Sequence, residues 1–152
     1  MKLLRWIDIP PVWLLLFCTI AWLQAKHFDL GLNFGPVWAD LLGGILVGGG
    51  ILLMLLAVFE MWRMRTTVVP HREADVLVTS GIFSRVRNPI YLGDVSALAG
   101  LILYWDAVLA LPLIPVFVWV IERRFIIPEE DRLRRKFRAD FARYAQKVRR
   151  WV

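Results

Sequence analysis

The sequence predicts an all-α, polytopic membrane protein with about four transmembrane helices and a C-terminal amphipathic helix, and three observations carry that prediction. The 152 residues are 59% apolar, with a mean hydropathy of +0.57, more than ordinary globular chains carry. The apolar residues fall in long uncharged runs. The positive charge is confined to the flanks of those runs: of 19 Lys and Arg, eleven lie in residues 122 to 152 and five more between Met61 and Asn88. Four spans place both basic segments, together with Lys2 and Arg5, on one side, which the positive-inside rule assigns to the cytoplasm. The chain is therefore expected to be a single domain over 1–152, multi-pass in a bacterial or archaeal cytoplasmic membrane, with both termini in the cytoplasm.

The first span, residues 9–25, is entered through Pro10-Pro11, which suit a helix start because their missing amide hydrogens would be unpaired there anyway. The second, 38–60, contains the uncharged run from Leu41 to Phe59 and is the clearest of the four. Its Gly43-Gly44 and Gly48-Gly49-Gly50 permit close approach of a neighbouring helix or a flat ligand, packing being the reading preferred. Residues 61–88 are polar, basic and broken by Pro70, Ser80-Gly81 and Asn88-Pro89, so they read as a structured cytoplasmic loop. The third and fourth spans, 89–105 and 107–122, are separated only by Asp106 and form a tight hairpin, with Pro112 and Pro115 expected to kink the second arm. In the cytoplasmic tail, 123–152, Leu133, Phe137, Phe141, Tyr144, Val148 and Trp151 recur at spacings of three and four among arginines and lysines. That pattern is an amphipathic helix, lying in the head-group plane or folding over the loop as a lid.

Composition also excludes classes. Basic clusters alone would suit nucleic acid, but a nucleic-acid binder has no need of four apolar runs, so membrane lipids or an anionic ligand are the expected partners. The single cysteine, Cys18, supports neither an internal disulfide nor a cysteine zinc site, and no metal is expected. Chemistry is expected at the cytoplasmic boundary. Asn88 and Pro89 would open the third helix, Asn88 capping it with its side-chain oxygen, and a helix mouth attracts a carboxylate. Arg87 adds an anion partner, and Glu129-Glu130 bring acceptors from the other side, which together suits a zwitterion at the water–lipid border. Asp94, one turn inside the third span, is costly there unless hydrated or paired, with Arg85 or Arg87 as candidate partners.

In ordered combination, Thr66-Thr67-Val68-Val69-Pro70, Leu77-Val78-Thr79-Ser80-Gly81-Ile82-Phe83, Arg87-Asn88-Pro89-Ile90-Tyr91-Leu92-Gly93 and Glu129-Glu130 followed by Leu133, Phe137 and Tyr144 carry a resemblance. From about residue 60 to 152 the chain resembles the isoprenylcysteine carboxyl methyltransferase-like and phospholipid methyltransferase-like membrane enzymes. The resemblance implies S-adenosylmethionine bound beneath the loop and tail, and a lipophilic acceptor entering from the bilayer. Carried over by position, it implies cofactor contacts at Asp75, Val76, Leu77, Val78, Phe83, Asn88, Pro89, Tyr91, Glu129 and Glu130. Arg87, Asn88 and Tyr91 are the candidate catalytic residues, and Arg124 and Asp94 the acceptor-side ones. Compared with the family's frequent residues, Asn88 replaces a His, Phe83 a Tyr and Arg138 a Gly. Methyl transfer then rests on alignment and exclusion of water; of the two histidines, only His71 falls in the cytoplasmic loop, and it reads as a solvent-exposed residue. A non-catalytic membrane subunit and a membrane reductase of related architecture are the alternatives, separable by cofactor binding.

Overall fold

Proline and glycine punctuate the helices of the computed structural model, which describes residues 8–28, 30–66 and 76–152. Helix α1 (Pro10–His27) opens on its paired prolines and closes where the Phe28 amide bonds to the Gln24 carbonyl. Helix α2 (Pro36–Arg63) follows Gly35, whose φ of 90° turns the chain sharply into the helix. Helix α3 (Pro89–Tyr104) again starts on proline, with Asn88 as its N-cap residue. Asp106, at φ 54°, makes the turn that follows, and its carboxylate accepts the Phe34 amide at 2.9 Å, tying the α1–α2 loop to the α3–α4 turn. A short 3-10 turn (Val108–Ala110) precedes α4 (Leu113–Ile121), a π-helical turn (Glu122–Ile126) and α5 (Ile127–Lys147). All the described secondary structure is helical, apart from one isolated parallel bridge between Val86 and Arg149.

Helix α3 is the centre. On one side it meets α2 at two levels, where a Cβ on Gly43 would lie 2.7 Å from the Gly100 carbonyl oxygen and a Cβ on Gly50 2.6 Å from that of Gly93. Each pair is seven residues from the next, two turns of helix, so the two backbones pack directly on each other. Gly44, Gly48 and Gly49 have nothing within 4 Å of a built Cβ; packing therefore uses the face that carries Gly43 and Gly50. On its other side α3 shares a core with α1 and α4, built from Phe17, Cys18, Ala21, Leu98, Ile102, Phe117 and Ile121, with the Phe17 and Phe117 rings 5.1 Å apart.

The lengths of the described helices do not by themselves establish four complete spans. Helix α2, 28 residues long, extends about 42 Å at ~1.5 Å per residue, against a hydrocarbon core of about 30 Å. It contains the one described helix that is both long and apolar enough to cross a membrane, Val37–Arg63. Helix α3 has 16 residues and α4 only nine. The second arm of the hairpin is also not kinked at its prolines. Pro112 is the N-cap of α4 and Pro115 lies in its first turn, where no amide is needed for the ladder. The break comes ahead of Pro128 instead. That ring lacks the N–H that would close onto residue 124 and would crowd its carbonyl, and the wide π turn at Glu122–Ile126 relieves both.

Candidate functional site

The tail folds back as a cover. Along α5 and at its C-cap, Phe141, Tyr144 and Val148 are buried, with Leu133, Phe137 and Leu77 of the loop packed against them. The bend that allows this is at Arg138, whose φ of 43° and ψ of −110° interrupt the helix. Beyond α5 the chain is stitched to the start of α3. The Arg87 amide donates to the Arg149 carbonyl at 3.0 Å, and Asn88 Nδ2 donates to the Arg150 carbonyl at 3.2 Å. Asn88 therefore does not cap α3 with its side chain; the tail recruits its amide nitrogen instead.

Beneath this cover lies a cleft, partly open to solvent, with about 540 Å³ of space that takes in solvent at its mouth. Its polar wall comprises Arg87, Asn88, Glu129 and Glu130, and its apolar wall includes Val76, Leu77, Val78, Phe83, Leu133 and Phe141. The Asn88-Pro89 helix mouth and the acid pair thus meet at one place. Tyr91, buried one turn into α3, donates its hydroxyl to Glu129 Oε2 at 2.9 Å, and Arg87 Nη2 is 3.2 Å from Glu130 Oε1. Pro89 is fully buried beside them.

Arg87 is poorly satisfied. Its Nη1 reaches the Ala145 carbonyl only at 3.4 Å, and its Nε is buried with no partner among the described residues. Thr66 Oγ1, also on the cleft wall, is likewise buried and without a partner among the described residues. Buried donors of this kind are rare in folded proteins and carry a desolvation cost until a ligand or water meets them. Tyr144 closes the opposite side, its hydroxyl donating to the Phe83 carbonyl at 2.6 Å. Burial pushes that phenol up to about 12, the nearby Arg87 charge opposing the shift.

The two residues expected on the acceptor side, Arg124 and Asp94, are not on the walls of this cleft. Arg124 is exposed, donates to Asp8 at 2.6 Å and lies over the Trp13 ring, so it braces the entry to α1. Asp94 is buried within α3 and forms no ion pair among the described residues, Arg87 being held by Glu130 instead. Asp75 and His71 lie outside the described residues, as do Thr67 to Pro70, Lys2 and Arg5.

Other parts of the site have no counterpart in the sequence reading. Glu60, buried at the end of α2, accepts from Ser80 Oγ and from Arg63. Gly81, at φ 57°, presses against that carboxylate, where a Cβ would come within 2.7 Å. Glu60 thereby fixes the turn that carries Phe83. Arg150 grips Glu130 through two bonds, Nε to Oε1 at 3.1 Å and Nη2 to Oε2 at 2.8 Å, and reaches Glu122 with Nη1. The bond to Glu130, first, and the charges of Glu130 and Glu122 hold the Arg150 proton more tightly than usual. Arginine is common in this tail, and no spacing marks Arg150 as the one that turns inward.

The phospholipid methyltransferase family model matches residues 38–140, from the start of α2 past the bend in α5, and so takes in both the helix mouth and the acid pair. No curated protein and no solved structure matches the chain. The family match spans more than half of the sequence and includes most residues that wall the cleft, and on it the chain belongs to the phospholipid methyltransferase family.

Proposed function

We propose that the protein transfers a methyl group from S-adenosylmethionine to a lipophilic acceptor at the cytoplasmic face of a membrane, with the cleft beneath the tail as the cofactor site. The observation that carries this reading is the convergence of Arg87, Asn88, Glu129 and Glu130 on one cleft, where the buried Arg87 Nε has no partner among the described residues. The donor set suits the cofactor. A guanidinium donor suits its carboxylate, Glu129 suits its ammonium or ribose hydroxyls, and Val76, Leu77, Val78, Phe83, Leu133 and Phe141 suit the adenosine and thioether carbons. We assign Asp75 and Pro89 to the same site by position, with Tyr91 orienting Glu129 and Glu130 setting the charge around Arg87.

When bound, the cofactor supplies an electrophilic methyl group on a sulfonium. The protein's part is to orient and to exclude water. Arg87 and Asn88 hold the amino-acid end of the cofactor and Tyr91 fixes Glu129, which aligns the methyl group for transfer, while the α5 aromatic residues shut out solvent. Asp94 within α3 is the residue we assign to the acceptor side, since a buried carboxylate at membrane depth marks a substrate path. Arg124, occupied by Asp8, fits an outer guide for the acceptor better than a contact at the cleft. The chain is read as multi-pass with both termini cytoplasmic: α1, α2, α3 and the α4 arm make four crossings, the shorter helices by snorkelling of their flanking residues.

The test is transfer of radiolabelled methyl from S-adenosylmethionine into a membrane lipid extract by the purified protein. The Glu129→Ala variant is expected to lose at least about tenfold in rate, the order of one charge-assisted hydrogen bond. Label incorporated equally by wild type and variant, or no incorporation with any lipid fraction, would refute the assignment.

A further inference from the structure

Two arginines converge on one buried carboxylate, and they do not share it equally. Arg150 takes both oxygens of Glu130 in a planar fork, at 3.1 and 2.8 Å, whereas Arg87 approaches one oxygen at 3.2 Å. Glu130 is 7% exposed in its side chain and Arg87 14%, so neither group can fall back fully on solvent. Arg150 is more open, at 31%, and Glu122 holds it from the other side. Remove Arg150 and the single remaining cation for Glu130 in this cluster is Arg87. A bidentate arginine–carboxylate bond is among the strongest polar contacts a protein makes. Arg87 would then be drawn onto Glu130 and its donors lost to the cleft.

We infer that Arg150 is a positioning residue: by engaging Glu130 it keeps the Arg87 guanidinium available to an anionic group in the cleft, which, on the reading above, is the carboxylate of S-adenosylmethionine. Arg150 lies beyond the residues 38–140 matched by the family model. The same residue's carbonyl accepts from Asn88 Nδ2. Closure of the tail and readiness of Arg87 are thus set by one residue, and the tail must be docked before the anion site is competent.

The inference separates from a purely structural role through the sign of a double-mutant cycle. Binding of S-adenosylmethionine to the full-length protein in detergent is measured by titration calorimetry for wild type, Arg150→Gln, Glu130→Gln and the double variant, with thermal unfolding followed alongside. Arg150→Gln is expected to weaken binding by about tenfold or more, the order of one charge-assisted bond. The double variant is expected to bind more tightly than Arg150→Gln alone, because no carboxylate remains to capture Arg87. A double variant as weak as Arg150→Gln, or weaker, overturns the inference, as does unaltered affinity in Arg150→Gln. If Arg150→Gln does not fold, Arg150→Lys serves: it keeps the charge without the fork, and intermediate affinity is expected, full affinity being the overturning result. A wild-type protein that binds no S-adenosylmethionine overturns the cofactor assignment together with this inference, whereas wild-type binding without the predicted coupling overturns this inference alone.

Discussion

At the scale of single residues the site depends on which partner each polar group finds. Tyr91 and Glu129 are 38 positions apart in sequence and 2.9 Å apart in space. Their residue types and order were legible beforehand, because a tyrosine one turn into a proline-capped helix and an acid pair ahead of an amphipathic helix are local patterns. Asn88 was legible only by half. Its place at the head of α3 follows from Pro89, but its side chain answers to the Arg150 carbonyl, a group 62 positions away that no local pattern reveals. Tyr144 gives the residue-scale prediction. Its phenol ionises near pH 10 when unfolded and is pushed up to about 12 in the fold, chiefly by burial. The native state therefore keeps a proton that the unfolded chain has lost, and the stability this group contributes is whole below pH 10 and fades as the pH climbs toward 12. Tyr144→Phe removes that titration, so its unfolding temperature in detergent should decline less steeply across this interval than that of the wild type. Parallel slopes would show that the phenol does not titrate as described.

At the scale of elements, the helices are set by proline, glycine and the limits of backbone geometry. Gly43, Gly50, Gly93 and Gly100 put α2 and α3 in backbone contact, and a methyl group at Gly93 would meet the Gly50 carbonyl at 2.6 Å. Gly93→Ala is expected to lower stability by about 1–3 kcal/mol through overpacking. Gly44→Ala has nothing within 4 Å and is expected to be neutral or slightly stabilising, since alanine favours the helix. Thermal unfolding of the two variants side by side checks the contrast; equal effects would mean that the helices do not pack on these faces. Five glycines in α2 were visible in the sequence, but which of them pack depends on where α3 lies, so only the assembled pair singles out Gly43 and Gly50. The bend in α5 makes a second case. Arg138 adopts φ 43° and ψ −110°, positive-φ backbone that glycine enters far more readily than a residue with a side chain. Arg138→Gly is expected to raise stability by about 1 kcal/mol, the relief of strain exceeding the added freedom of the unfolded chain. A destabilised variant would show that the arginine's contacts outweigh the strain.

At the scale of the whole molecule, charge and apolarity divide the chain into a greasy bundle and a basic cover. The acids of residues 122 to 152 leave that segment at +6, which is the net charge of the entire chain, so the remainder is balanced. With both termini read as cytoplasmic, a cysteine at Val152 in a Cys18→Ala background should react with an impermeant thiol reagent in inside-out vesicles and not in intact cells. The reverse pattern would sink the topology. The sequence by itself determined that the chain is helical, that its positive charge lies in the loop and the tail, and that Asn88-Pro89 and Glu129-Glu130 belong to one ordered set. Those properties follow from composition, local spacing and the chemistry of proline, which act within a few residues. Only the tertiary structure decided that the aromatic face of α5 covers a cleft, that α2 is the one described helix long and apolar enough to span unaided, and that Arg150 closes on Glu130. Such choices depend on helix lengths, a π turn and a backbone bend that set distances between remote residues, and pairing at those distances is a property of the folded chain.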